Sequence, residues 1–129
     1  MIEFIKSRTK AFGYAFAGWW HVIRTQRNAW IHTLVSVAVL IIGLWVNLPL
    51  RDWTFIIIAF AFVWIAEFLN TALEAVVDLA TNENHPLAKV GKDVGAAAVL
   101  IAALTAIVIG LFVLGPPLWE KLGDLGIVN

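Results

Sequence analysis

The chain alternates between long apolar stretches and short polar ones on a scale that matches a membrane. Arg27 and Arg51 bound one stretch without Asp, Glu, Lys or Arg, and Asp93 and Glu120 bound another. Each stretch exceeds the roughly 20 residues that a helix needs to cross about 30 Å of hydrocarbon. Between them, an apolar run begins at Trp53 and becomes acidic in its second half. The pattern predicts three membrane-spanning helices, over residues 29–48, 53–79 and 86–114.

Turn residues separate the predicted helices. Asn47, Pro49 and Asp52 supply turn chemistry before the second helix, and the polar letters TNENHP interrupt the chain after it. Pro86 suits the first turn of the third helix, because proline lacks an N–H that this position would leave unpaired. The letters GPP after Leu114 predict the end of that helix. Residues 115–129 are therefore expected to form an external tail.

The segment over residues 3–28 is basic and differs from the rest of the chain. Its basic residues outnumber its single acid, Glu3, and are Lys6, Arg8, Lys10, Arg24 and Arg27. On a helical wheel its large apolar residues fall in a narrow arc: Ile5, Phe12, Phe16, Trp19 and Ile23. This pattern predicts an amphipathic helix that lies on the membrane surface.

Basic residues also indicate the topology. Five precede the first spanning helix, and Lys89 and Lys92 lie near the second polar connection, whereas Arg51 and Lys121 lie on the other side. The positive-inside rule therefore predicts a cytoplasmic N-terminus and an external C-terminus.

Composition agrees with a membrane protein of one domain. The chain has 129 residues, a formal net charge of zero, 61% hydrophobic residues and only 14% charged ones. With no cysteine, it has no disulfide framework. The predicted fold class is an all-α membrane protein with three transmembrane helices and a surface helix, and no nucleic-acid partner is expected.

The second spanning helix carries a polar stripe. At about 100° per residue, five polar residues project within a sector roughly 100° wide: Glu67, Asn70, Thr71, Glu74 and Asp78. Carboxylates at membrane depth are costly, so they are candidates for function. The alternative is that the stripe makes hydrogen bonds between helices of neighbouring subunits.

Basic residues lie close to this stripe in the predicted topology. Lys89, Lys92 and Asp93 share a face of the third helix, and the amides of its first turn could bind anions. Carboxylates for a metal ion, with lysines and amides for phosphate, suggest phosphoryl transfer. The alternative for the lysines is that they are ordinary anchors at the membrane surface.

Two stretches, AEFLNTALEAVVDL and HPLAKVGKDVGAAAVLIAA, resemble the bacterial integral-membrane diacylglycerol kinase and undecaprenol kinase family. The resemblance extends from about Ala11 to Leu114 and includes FGYAFAGWWHVIRTQRNAWIH. The letters PLAKVGKDV are more similar to the undecaprenol kinases. The resemblance implies a homotrimer with shared active sites in the bacterial cytoplasmic membrane, and the use of ATP with Mg²⁺ to phosphorylate the hydroxyl of a membrane lipid alcohol.

The resemblance also implies roles for individual residues. Glu67 matches the catalytic base, Asn70 belongs to the same catalytic motif, and Glu74 matches a metal-binding carboxylate. The implied nucleotide-binding residues are Tyr14, Glu83, Asn84, His85, Lys92 and Asp93. Gln26 stands where the family often has a glutamate as second metal ligand, so this position offers an amide oxygen without the negative charge.

Two functions remain open from the sequence alone. A lipid kinase explains the lysine and asparagine residues beside the acids, whereas a small ion- or proton-translocating subunit would need only Glu67 as its carrier. Undecaprenol and diacylglycerol both remain possible acceptors, because an apolar pocket would fit either chain.

Overall fold

The structure, a computed structural model, describes residues 1–81 and 83–127, apart from the side chains of Ile2 and Ile5. Asn82, the side chain of Ile5 and the last two residues of the predicted tail lie outside the described residues. Within this part of the chain, four helices follow one another: α1 (Ile2–Thr25), α2 (Arg27–Trp45), α3 (Leu50–Ala80) and α4 (Pro86–Asp124).

The helices α2, α3 and α4 are long and apolar enough to cross a membrane. Their starts lie within one turn of the predicted positions, as do the ends of α2 and α3. At about 1.5 Å per residue, the 31 residues of α3 span about 46 Å, which exceeds the hydrocarbon thickness. The expectation of an all-helical, multi-pass membrane protein is therefore confirmed.

A single residue separates α1 from α2. Gln26 has an extended backbone (φ −97°, ψ 118°), although its N–H still donates to the carbonyl of Val22 at 2.9 Å. Beside it, the hydroxyl of Thr25 donates to the carbonyl of His21, a local bond that competes with the helix ladder. The chain therefore turns at Gln26 and presents this side chain at the junction of two helices.

The turn between α2 and α3 follows from Asn47. This residue adopts the left-handed region (φ 54°), which asparagine tolerates better than most residues. The N–H of Leu48 donates to Gly43 and that of Asn47 to Leu44, which is the bond pattern of a Schellman motif. Pro49 then caps the start of α3. Leu48 is buried and joins an apolar cluster with Ile56 and Leu114 at this end of the bundle.

The prediction that GPP ends the last helix is wrong. Pro116 and Pro117 lie inside α4, which continues to Asp124, so much of the predicted tail is helix. Each proline removes one backbone donor, but its fixed φ is compatible with a helix and the following Leu118–Lys121 are helix-forming types. The stop is Gly126 (φ 69°), where the N–H groups of Gly126 and Ile127 bond back to Gly123 and Leu122.

Helices α3 and α4 form the main interface of the bundle, and small residues allow them to approach. Gly95 and Ala102 of α4 are buried. A Cβ added at Gly95 would overlap the side-chain oxygen of Asn70 and approach Leu73 Cδ2 at 3.1 Å, whereas one at Gly91 would meet Val77 at an ordinary 3.5 Å. A glycine at position 95 is therefore needed, because any side chain there would collide with the Asn70 amide at this distance between α3 and α4.

We predict that Gly95→Ala destabilises the protein, whereas Gly91→Ala does not. Overpacking costs about 1–3 kcal/mol, which exceeds the gain of about 1 kcal/mol from replacing glycine in a helix. The measurement is the midpoint of thermal unfolding in detergent micelles. The matched control is Gly91→Ala, one turn away on the same helix. Equal midpoints for Gly95→Ala and the parent protein would contradict the packing described here.

Candidate active site

The polar stripe of α3 lies where the helices are packed. Glu67 has no exposed surface, and Asn70 and Thr71 are also buried. The hydroxyl of Thr71 donates to the carbonyl of Glu67 at 2.9 Å, so it is satisfied within its own helix. Both carboxylate oxygens of Glu67 and the side-chain oxygen of Asn70 lack hydrogen-bond partners among the described residues. Such acceptors are costly to bury, which marks this part of α3 as a candidate site.

Three residues from two regions of the chain form an amide–carboxylate cluster: Gln26, Asn70 and Glu74. The Nε2 of Gln26 donates to Oε2 of Glu74 at 3.3 Å, and the Nδ2 of Asn70 donates to Oε1 at 3.1 Å. Each oxygen of the Glu74 carboxylate thus receives one amide. The turn at Gln26 brings the two predicted metal-binding positions, 26 and 74, within hydrogen-bond distance of each other.

The amide–carboxylate cluster fits a magnesium ion. Mg²⁺ is usually bound through one or two carboxylates together with substrate phosphates and water, rather than by a complete protein cage. The described residues hold no group of three or more His, Cys, Asp or Glu side chains suited to a metal. Glu74 supplies one carboxylate, and rotation of the Gln26 or Asn70 amide, each of which now directs its nitrogen at Glu74, would offer a neutral oxygen.

His32 of α2 lies against Glu67. The distance from its Nε2 to Oε2 of Glu67 is 3.8 Å, and neither atom has a hydrogen-bond partner among the described residues. The sequence analysis missed His32. Its signal was that it is the sole ionisable residue between Arg27 and Arg51.

An aromatic cluster fixes this region. Trp19 of α1 stacks on Trp64 of α3 with ring centroids 4.8 Å apart and also contacts Phe68. The ring of His32 meets Trp64 edge-on at 6.4 Å. The second half of α1 is therefore packed on α3 near Glu67.

A cavity of about 740 Å³ lies at the connection between α3 and α4. It gathers five predicted nucleotide-binding residues: Glu83, Asn84, His85, Lys92 and Asp93. Asp78 also lines it and pairs with Lys92, Nζ to Oδ1, at 2.5 Å, while Lys89 pairs with Asp93. Because Asp78 lies one turn beyond Glu74 on α3, the cavity continues the polar stripe.

The first turn of α4 differs from the expectation in one detail. His85 caps it, with Nδ1 accepting from the N–H of Leu87 at 3.2 Å, so this amide is not free for an anion. His85 therefore has a structural role at the rim of the cavity.

Tyr14 is not brought to this cavity. It is 76% exposed on α1 and is not among the described residues that line the cavity. Within one chain, the other predicted site residues lie in two groups. Gln26, Asn70 and Glu74 are in contact, one to two turns of α3 from Glu67, and Glu83, Asn84, His85, Lys92 and Asp93 line the cavity.

A second cavity, the apolar groove, runs between α2, α3 and α4 with a volume of about 430 Å³. Its lining among the described residues is apolar apart from His32 and Ser36. It extends along α4 from Ala103 to Leu118, over about 22 Å at 1.5 Å per residue. The groove is therefore mostly apolar, and its polar lining residue His32 lies 3.8 Å from Glu67.

Comparisons with known proteins agree with the sequence. Residues 13–114 match the prokaryotic diacylglycerol kinase family. The chain is 41% identical to the undecaprenol kinase of Bacillus subtilis over 84% of its own length and 89% of that relative. It is 43% identical to a diacylglycerol kinase of Synechocystis, over 84% of this chain and 62% of that protein.

The diacylglycerol kinase of Escherichia coli K12 is 38% identical over 77% of this chain and 81% of its own length. The chain is about equally similar to a relative named undecaprenol kinase and to one named diacylglycerol kinase, so sequence identity does not favour either lipid as the acceptor. The sequence prediction of a lipid kinase is confirmed. The chain belongs to the prokaryotic diacylglycerol kinase family.

Proposed function

We propose that this protein uses ATP and Mg²⁺ to phosphorylate the hydroxyl of a membrane lipid alcohol at the cytoplasmic surface of the bacterial inner membrane. The main support is the order of polar groups on α3. The buried carboxylate of Glu67, which lacks a hydrogen-bond partner among the described residues, is followed by Asn70 and Glu74 of the amide–carboxylate cluster and then by Asp78 at the lysine-lined cavity. This arrangement supports phosphoryl transfer, which needs a base, a metal site and cations for phosphate. Family membership favours it over ion translocation.

Glu67 is the proposed catalytic base. Its carboxylate accepts the proton of the lipid hydroxyl as the hydroxyl oxygen bonds to the γ-phosphorus and the bond to the β–γ bridging oxygen breaks, which releases ADP. Asn70 assists by holding Glu74 on one side through its amide nitrogen, while its side-chain oxygen lies against Gly95 of α4.

Glu74 and Gln26 are the proposed magnesium-binding residues. A bound Mg²⁺ would neutralise charge on the phosphates of the nucleotide. In this chain, Gln26 contributes a neutral oxygen where a glutamate would contribute a charge. Its present bond to Glu74 holds the two side chains in place at the α1–α2 junction.

The nucleotide is proposed to occupy the cavity after α3. The ammonium group of Lys92 is proposed to leave its ion pair with Asp78 and to bind the phosphates instead. Asp93, which is paired with Lys89, is proposed to contact the nucleotide next to Lys92. Glu83, Asn84 and His85 form the rim. Tyr14 is proposed to reach a nucleotide only through assembly, because it is remote from the cavity lining within one chain.

The proposed assembly is a homotrimer with shared active sites. Many large apolar side chains are exposed on one chain, and the apolar groove is open. In lipid, the carboxylate oxygens of Glu67 and the side-chain oxygen of Asn70, which lack hydrogen-bond partners among the described residues, need partners that the three spanning helices do not supply. The positive-inside pattern supports a cytoplasmic N-terminus and an external C-terminus.

The acceptor lipid is tested directly. Purified protein with Mg-ATP is incubated with undecaprenol, diacylglycerol and other lipid alcohols in turn, and the phosphorylated product is measured. Absence of product from every lipid alcohol would overturn the proposed function.

We predict contrasting defects for two acids on α3. Glu67→Gln should lower kcat by at least about 100-fold because a general base is lost, while ATP binding is retained. Glu74→Gln should instead raise the Mg²⁺ concentration for half-maximal activity by roughly 10-fold, because a charged ligand is lost. ATP-binding titrations and lipid phosphorylation at varied Mg²⁺ measure both effects.

The reciprocal variant is Gln26→Glu. A second carboxylate opposite Glu74 should lower the Mg²⁺ concentration needed for half-maximal activity. Near-normal turnover in Glu67→Gln, or an unchanged Mg²⁺ requirement in both metal-site variants, would refute these assignments.

Lys92→Ala should raise the KM for ATP by about 10-fold, because a charge-assisted bond to phosphate is lost, with a smaller effect on the KM for lipid. Steady-state kinetics measure the two constants. Lys121→Ala, near the opposite end of α4, is the control and should leave both unchanged. A larger rise in the lipid KM than in the ATP KM would contradict the placement of the nucleotide in this cavity.

The assembly should have a protein mass three times that of the 14.2-kDa chain. Light scattering of the detergent-solubilised complex, corrected for bound detergent, measures it. A fully active monomer would exclude shared sites.

A further inference from the structure

His32 and Glu67 form a buried polar pair that the proposed mechanism does not fully use. The His32 side chain is 14% exposed and that of Glu67 1% exposed. His32 Nε2 and both carboxylate oxygens of Glu67 have no hydrogen-bond partner among the described residues. Burying three such atoms together is costly unless a ligand or another polar group completes them.

The distance between the two side chains suits a bridging oxygen. At 3.8 Å, His32 Nε2 and Glu67 Oε2 are too far apart for a good direct hydrogen bond. One oxygen atom placed to the side of the line between them can lie about 2.8 Å from both. A hydroxyl at that point can accept from the imidazole N–H and donate its own proton to the carboxylate.

One member of this pair, His32, lines the apolar groove, and Glu67 lies directly behind it. His32 lines the groove at its Val63 end, and the groove then continues between α2, α3 and α4 towards Leu118. A polar end next to Glu67 and a long apolar remainder match a hydrocarbon chain that ends in a hydroxyl. The edge-on contact with Trp64 restricts the imidazole orientation at the junction of the two parts.

We propose that His32 binds the acceptor hydroxyl of the lipid and directs its proton to Glu67, with the lipid chain in the apolar groove. This inference rests on the proposed function and adds a substrate-binding residue on α2. His32 carries its proton on Nε2 and donates it to the hydroxyl oxygen. The hydroxyl proton then points to Oε2 of Glu67, and the remaining lone pair of the oxygen is available for attack on phosphorus.

The kinetic test compares His32→Ala and His32→Gln with Val35→Ala. Val35 lines the same groove on the same helix but offers no polar group. His32→Ala should lower kcat/KM for the lipid by about 10- to 100-fold with little change in the KM for ATP, since one hydrogen bond to the reacting oxygen is lost. His32→Gln keeps an N–H donor and should recover part of the loss. Val35→Ala should have a much smaller effect.

Two kinetic outcomes would overturn the proposal. One is an unchanged lipid kcat/KM in His32→Ala. The other is a parallel loss of lipid and ATP kinetics in both His32 variants, as expected if His32 only supports the fold. If His32→Ala does not assemble, His32→Gln decides the question by its lipid kcat/KM relative to its ATP KM.

A binding test separates this inference from the proposed function. A long-chain primary alcohol with a photoreactive diazirine is incubated with the full protein in detergent without ATP, and labelled residues are identified by mass spectrometry. Labelling of the groove that decreases in His32→Gln or His32→Ala supports the site, even if no lipid is phosphorylated. Labelling elsewhere, no labelling, or labelling that is independent of His32 overturns it. Exclusion of the alcohol by a second copy of the chain in the groove would give no labelling there.

Discussion

The burial of the Glu67 carboxylate is the constraint on which the rest of the structure depends. A group with no exposed surface on a membrane-spanning helix needs compensation, and polar groups of α2 and α3 lie near it. His32 approaches from α2, and Thr71 bonds within α3 so that it does not compete for the carboxylate. The aromatic cluster of Trp19, Trp64 and Phe68 packs α1 over the same region. These contacts define a small polar region in a mostly apolar molecule.

Close helix packing connects this region to the cavity. Gly95 lets α4 approach the Asn70 amide, and Asn70 in turn donates to Glu74. One turn further along α3, Asp78 holds Lys92 at the edge of the cavity. Glu67, the proposed base, Glu74, a proposed metal-binding residue, and Asp78, which pairs with Lys92 of α4, are thus ordered along α3 with spacings of seven and four residues. A change in the packing at Gly95 would therefore affect chemistry as well as stability.

The two cavities have contrasting chemistry. The cavity after α3 carries acids, lysines and an asparagine, whereas the apolar groove is almost entirely hydrocarbon. They lie near the polar stripe of α3 at different levels. His32, which lies against Glu67, lines the groove, whereas Asp78 and Lys92 line the other cavity. A kinase for lipids must bring a water-soluble nucleotide and a membrane-bound hydroxyl together, and under the proposed function the two cavities would each hold one of them.

The sequence by itself determined the three spanning helices and the stripe of Glu67, Asn70 and Glu74, because hydrophobic length and helical period are local properties. It failed at the end of α4, which continues through the proline pair to Asp124 and is followed by Gly126 in the left-handed region, where two backbone bonds return to Gly123 and Leu122. Only the tertiary structure decided that Gln26 reaches Glu74 across 48 positions and that His32 faces Glu67. Such contacts depend on how helices pack against one another, which no periodicity within a single helix specifies.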